Sequence, residues 1–198
     1  KNGNLFYLAA GSPGFLVMDM SDPANPQTLG TYKADSFYPW RVELSADGKV
    51  AYVAGMAGQV HVVDVSNPWN PTKLWHVDGF FGSGMSQNQR VNDIGLVGNT
   101  LYGATSYPLE SGYGTVSAVD VSNPTSLVMI KDNLFYGYDF LRISPMLGGA
   151  GYQAWSYFTT KDSTLTTHKW ANLFSLNDPS AMVPMMEPLN MDGSCYSV

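Results

Sequence analysis

Short apolar runs recur along this chain, and each is closed by Gly, Pro, Asn or Asp. In WRVELS (40–45) apolar and polar positions alternate, the period-two pattern of a half-covered strand. QVHVVDVS (59–66) is different. Val60, Val62, Val63 and Val65 place apolar groups on both faces, as expected for a strand in a sheet lying between two others. The joint between 40–45 and KVAYVAG (49–55) is ADGK, whose Asp47-Gly48 pair predicts a hairpin. With TKLWHV (72–77) these runs predict one four-stranded antiparallel unit.

The unit repeats. LVMDMSDPANP (16–26), HVVDVSNPWNP (61–71), SAVDVSNPTSL (117–127) and NLFSLNDPSAM (172–182) align on Pro23, Pro68, Pro124 and Pro179, at spacings of 45, 56 and 55. Periods of this size are those of stacked repeats such as propeller blades. Asp22, Asn67, Asn123 or Asp178 precedes the proline, the preferred chemistry of a type I turn. Asp19, Asp64, Asp120 or Ser175 lies three residues earlier, where a short polar group is expected to bond backbone at the turn. The third unit reads RVNDIGLV, TLYGATS, GTVSAVDVS and SLVMIKD, and the fourth FLRISPML, GYQAWSYF, WANLFSLN and AMVPMMEP. The first starts directly at NLFYLAAG without an opening strand, and the closing GSCYSV aligns with one.

The expected fold is therefore all-β: a β-propeller with about four blades of four antiparallel strands, over approximately 3–37, 38–81, 88–136 and 138–190, plus an inner strand at 193–198. The last segment could close a four-bladed ring by completing the first blade. A chain that starts and stops mid-blade is, however, expected to be part of a larger ring. The pattern AYVAG…VHVVDVSNPWNP resembles the LVIVD-repeat β-propellers of bacterial and archaeal surface proteins. That resemblance implies a secreted or surface-attached module that binds partners or assembles, and it carries no reaction.

Composition agrees with a folded β chain: 44% of residues are hydrophobic and only 13% charged, far from the signature of disorder. With a net charge of −6 and no basic run, nucleic acid is not an expected partner. No stretch reaches the roughly 18–20 apolar residues of a membrane helix. With no Met at position 1, the chain is read as a mature or truncated product.

Candidate chemistry concentrates at one end of the blades. The Asx-Pro and Gly turns occupy one face and are stereotyped. The opposite face carries connections of varied length, GMAGQ (55–59), DGFFGSGMSQNQ (78–89), SYPLESGYG (106–114) and TTKDSTLTTHK (159–169), and is the expected functional face. The three arginines, in PWRVELS, NQRVNDI and FLRISPM, all fall near the start of inner strands on that side. Arg41, Arg90 and Arg142, with Tyr38, Trp40 and His168 nearby, form the candidate site for an acidic small molecule or glycan, since guanidinium captures carboxylate bidentately. The competing reading has each arginine pinning neighbouring blades together. Aromatics accompany them: Phe37, Tyr38 and Trp40, then Phe80 and Phe81, then Phe135, Tyr136, Tyr138 and Phe140, as blade wedges or an exposed rim.

Catalytic and metal motifs are not legible. His61, His76 and His168 have no metal-ligand spacing, and His61 and His76 are read as structural or exposed. There is no GxSxG elbow, calcium loop or Gly-rich phosphate loop, and the single cysteine, Cys195, is read as a small buried hydrophobe. No cofactor or metal is expected. The reading taken forward is a non-catalytic extracellular or cell-surface module for protein–protein interaction or self-assembly. Its alternative is an enzyme or receptor that gathers an anion on the arginines.

Overall fold

The computed structural model describes residues 3–78, 90–106, 113–136, 138–145, 152–161, 167–178, 180 and 189–190. They form four antiparallel sheets in chain order. Blade 1 contains β1 (Leu5–Ala9), β2 (Phe15–Asp19) and β3 (Gln27–Tyr32). Blade 2 contains β4 (Pro39–Leu44), β5 (Val50–Gly55), β6 (Val60–Asp64) and β7 (Thr72–Val77). Blade 3 contains β8 (Arg90–Val97), β9 (Thr100–Ser106), β10 (Tyr113–Asp120) and β11 (Val128–Tyr136). Blade 4 contains β12 (Tyr138–Pro145), β13 (Tyr152–Lys161), β14 (Thr167–Ser175) and β15 (Leu189–Asn190). Sheet order follows chain order, so every blade is a plain meander. Blade 1 begins at the second-strand position: Tyr7 pairs with Val17 as Tyr52 pairs with Val62 and Tyr102 with Ala118.

The doubly apolar strands have the predicted consequence. Phe15 and Val17 of blade 1 pack with Ala51, Val53, Val63 and Val65 of blade 2 in one core. The other face of blade 2, Tyr52, Ala54, Val60 and Val62, packs with Leu101, Val119 and Val121 of blade 3. Blade 3 in turn offers Tyr102, Ala104, Val116 and Ala118 to Ile143, Phe174 and Leu176 of blade 4. The core is thus a series of layers between sheets, and no blade has one of its own. A tyrosine clamp accompanies this stacking: the Tyr52 hydroxyl donates to the Val121 carbonyl at 3.3 Å, and Tyr102 to the Leu176 carbonyl at 2.7 Å.

The Asx-Pro hallmark is a hydrogen-bonded corner. Oδ1 of Asp19, Asp64 and Asp120 accepts the N–H of Ser21, Ser66 and Ser122, each at 2.8 Å, and Ser175 Oγ accepts that of Asn177. The serine's hydroxyl and then its N–H hold the carboxyls of Asp19 and Asp64 below their usual range, while at Asp120 the N–H of Ser122 is the larger cause. One turn later Asp22, Asn67, Asn123 and Asp178 accept the N–H two residues on, and the carbonyls of Asp22, Asn67 and Asn123 close the β-turn. These polar groups are structural, as read from the sequence.

Blade 4 departs from expectation in detail. β13 continues to Lys161 and β14 begins at Thr167, with Thr160 opposite His168, so most of the expected loop 159–169 is hairpin strand. Its threonines are β-branched and suit a pleated surface. The expected outer strand at 181–188 and the closing strand at 193–198 lie outside the described residues. Among those described, blade 4 packs on blade 3.

The outer strand of blade 1 touches the turn of blade 2. A Cβ at Gly30 would stand 2.7 Å from Cδ of Pro71, and closer still to the Pro68 carbonyl oxygen. Backbone and a proline ring cannot yield as a flexible side chain would. Gly30→Ala is therefore expected to destabilise the protein by about 2 kcal/mol in urea titrations. Unchanged stability would mean that blades 1 and 2 do not approach this closely.

Candidate functional site

The site is built from the segment that joins blade 1 to blade 2. Ser36 takes a left-handed backbone (φ 57), and its carbonyl accepts Gln59 Nε2 at 3.1 Å. This turn sends Phe37 inward and leaves the next residues alternating: Tyr38 out, Pro39 in, Trp40 out. Phe37 stacks on the His61 ring at 3.7 Å, while the Tyr32 hydroxyl and His61 Nδ1 share a hydrogen bond at 2.7 Å. Burial, and then neighbouring His76, lower the pKa of His61 to about 4, so its ring is neutral at physiological pH. His61 is a core histidine, and His76, its cross-strand partner, is exposed.

Backbone hydrogen bonds fix the outward residues. The Met56 N–H donates to the Tyr38 carbonyl at 3.0 Å, and the Val91 N–H to the Met56 carbonyl at 3.3 Å, so blades 2 and 3 are tied at this end. Tyr38, Trp40 and Met56 stand 55%, 43% and 39% exposed on that framework. The Arg41 guanidinium lies 5.1 Å from the centre of the Trp40 ring, within cation–π reach. Arg41 also donates through one terminal guanidinium nitrogen to the Trp40 carbonyl at 3.1 Å. The expected rim aromatics Phe80 and Phe81 lie outside the described residues, and Phe135, Tyr136, Tyr138 and Phe140 are placed by their backbone alone.

Arg41 is engaged by a neighbouring blade. Its Nε donates to Asp93 Oδ1 of blade 3 at 3.1 Å, and Oδ2 of the same carboxylate accepts the Ile143 N–H of blade 4 at 2.9 Å. One carboxylate thus joins three blades. For Arg41 the blade-pinning reading is the one the geometry favours. Arg90 and Arg142 are placed by their backbone in β8 and β12.

Strand register separates the three arginines. Arg41 pairs with Ala54, four residues beyond Val50, the partner of hallmark Asp64. Arg90 pairs with Ser106, six beyond the partner of Asp120, and Arg142 with Trp155, two beyond the partner of Ser175. At about 3.3 Å per residue their backbones stand on three rungs some 7 Å apart in height. The cause is the spacing of each arginine from its hairpin turn, and where that turn falls: Arg41 stands three residues before Leu44, which faces Ala51, Arg90 seven before Val97, which faces Thr100, and Arg142 three before Pro145, which faces Tyr152. The one-residue bulges at Trp40, Asn92 and Leu141 change this only for Arg90, by one residue. The rung of Arg41 is occupied in blades 3 and 4 by Asp93 and Asp139. His168 lies in β14 opposite Thr160, on a hairpin strand of blade 4.

Reading the sequence for arginines missed Asp93 and Glu43. Burial, and then the nearby charge of Asp93, raise the Glu43 pKa to about 7. Glu43 borders a cavity of about 410 Å³ lined also by Tyr7, Val42, Leu44, Ser45 and Asp47, at the turn end of β4 away from the aromatic residues. Among the described residues no group of three or more His, Cys, Asp or Glu is placed to hold a metal ion. No helix there is long and apolar enough to cross a membrane.

A sheet series of this kind, with these corners, is a β-propeller. The LVIVD repeat profile matches residues 2–34, 42–78 and 115–132, and the chain belongs to the LVIVD-repeat family. Among solved structures it is similar to the β-propeller domain of Cps50 (Swd1) from Myceliophteria thermophila, at 10% identity and a TM-score of 0.60, covering 95% of this chain and 56% of that one. It is also similar to Sqt1 of Saccharomyces cerevisiae, at 9% identity and a TM-score of 0.53, covering 93% of this chain and 59% of that one. The chain therefore spans less than two thirds of either protein. No curated protein matches it.

Half-buried Glu43 and buried His61 oppose each other in pH. The raised Glu43 contributes fully below its unfolded value of 4.5, and its contribution is lost as pH climbs through about 7. The lowered His61 contributes fully above 6.5, and its contribution is lost as pH falls through about 4. Glu43→Gln is expected to gain roughly 1–2 kcal/mol on the wild type at alkaline pH, and little at acidic pH, in paired urea titrations. An identical pH profile would show that Glu43 is not desolvated.

Proposed function

We infer that this chain is a non-catalytic propeller module, secreted or held at a cell surface, that binds a protein partner through Tyr38, Trp40 and Met56. The observation that carries this reading is the exposure of three large apolar side chains on a backbone already fixed by cross-blade hydrogen bonds. Ordering cost on binding is then small, and Trp and Tyr are the side chains that most often dominate interface energy. Arg41 contributes by holding the Trp40 ring. Its own charge is satisfied by Asp93, which weighs against an anion as the occupant. Family membership supports the extracellular placement, and the stereotyped turns at the far end leave this end as the variable one.

The test is competitive. A display screen for peptide ligands of the intact protein is followed by isothermal titration of the strongest binder. Trp40→Ala is expected to weaken that binder at least about tenfold, and Tyr38→Ala by a similar factor, while exposed Trp69→Ala at the opposite end leaves it unchanged. Equal affinity in all three variants would overturn the reading, as would an Arg41→Met variant losing binding while Trp40→Ala keeps it.

A further inference from the structure

Strand pairing sets two histidines opposite each other. His61 of β6 and His76 of β7 are cross-strand partners, so both rings lie on one face of blade 2, the face on which His61 meets Tyr32 of blade 1. The ring centres stand 5.3 Å apart, and the planes are tilted by 58° rather than stacked. Two imidazoles held by one tetrahedral metal ion have their centres about 5 Å apart, given bonds of about 2.0 Å from nitrogen to metal and roughly 1.1 Å from nitrogen to ring centre. The pair already has that spacing.

The two nitrogens of His61 are differently placed. Nδ1 shares the 2.7 Å hydrogen bond with the Tyr32 hydroxyl, and Phe37 stacks on the ring at 3.7 Å. His61 is only 3% exposed, yet among the described residues its Nε2 has no hydrogen-bond partner. Buried polar atoms are nearly always bonded, and leaving one unbonded is costly. A ligating histidine has this form: a neighbour holds one nitrogen and fixes the ring, and the other nitrogen is left for the metal. His76 is exposed, so an ion from solvent reaches it first. Charge does little to select that ion, since Lys73 opposes a cation at His61 and Asp78 favours one. Imidazole donors suit zinc, copper and nickel, whereas magnesium and calcium require oxygen.

We propose that His61 Nε2 and one ring nitrogen of His76 clip a divalent transition-metal ion of the zinc class between β6 and β7. The ring proton of His61 then stays on Nδ1, which donates to the Tyr32 oxygen. Two protein donors leave the other coordination positions to water or to an outside ligand, in keeping with the lack of a third His, Cys, Asp or Glu in reach among the described residues. The proposal is independent of the Tyr38–Trp40–Met56 patch, and either can fail without the other.

Isothermal titration of the whole chain with zinc chloride, in buffer freed of metal by a chelating resin, tests it. Saturable zinc binding is expected, with no comparable binding of magnesium. His76→Gln, at an exposed position, is expected to weaken zinc binding about tenfold or more, and Tyr32→Phe, which removes the bond that orients His61, by a similar factor. Nitrogen-15 NMR of the imidazole rings assigns the ligands, and zinc is expected to shift the ring signals of both His61 and His76. No zinc binding by the wild type, unchanged binding in His76→Gln, or a shift at His76 with none at His61 would each overturn the proposal. Circular dichroism identifies any loss of folding in Tyr32→Phe, in which case His76→Gln and the NMR shifts decide.

Discussion

The structure depends on one constraint: a sheet with apolar side chains on both faces must be covered twice. β6 shows it most plainly, because Val62 and Val63 are neighbours in sequence, point to opposite faces and are both fully buried. Val62 belongs to the layer shared with blade 3, and Val63 to the layer shared with blade 1. A four-stranded blade alone would leave both of those layers in water. At about 25 cal/mol per Å² of apolar surface, stacking the blades is the main source of stability. The tyrosine clamps and the Asx corners then fix spacing and direction, satisfying carbonyls and N–H groups that the strand ends would otherwise leave open.

Local chemistry made much of this legible in the sequence. VDVSNP occurs twice because the same corner is built twice, from a carboxylate that accepts the N–H two residues later and an Asx-Pro turn that ends the strand. Burial on both faces was readable from Val60, Val62, Val63 and Val65, and strand order followed from short connections. Relations between blades were hidden. Three arginines near the starts of three inner strands looked equivalent, yet their hairpin turns, and their distances from those turns, differ, and pairing puts them on different rungs. Register depends on which residues the turn leaves unpaired, and an apolar run does not show that. Asp93 was overlooked because its role is set by Arg41 and by Ile143, each about fifty residues away.

Stability and interaction divide along the blades. The clasp of Arg41, Asp93 and the Ile143 N–H takes charge out of play at the level of the inner strands. Tyr38 and Trp40 are thrown outward because Phe37 and Pro39 are drawn in, so their exposure follows from the wedge between blades 1 and 2. The exposed Tyr38–Trp40 surface is thus a by-product of core packing, on a backbone held by the Met56–Tyr38 hydrogen bond.

The central claim is that the repeats are wedges covered on both faces by their neighbours. Val62→Ala and Val63→Ala, made separately and compared by denaturant titration, test it most directly. The account predicts similar losses for the two, about 2 kcal/mol each, because each substitution opens a space in a different buried layer. A loss for only one of them, with the other near zero, would mean that one face of the sheet meets solvent, and would contradict it.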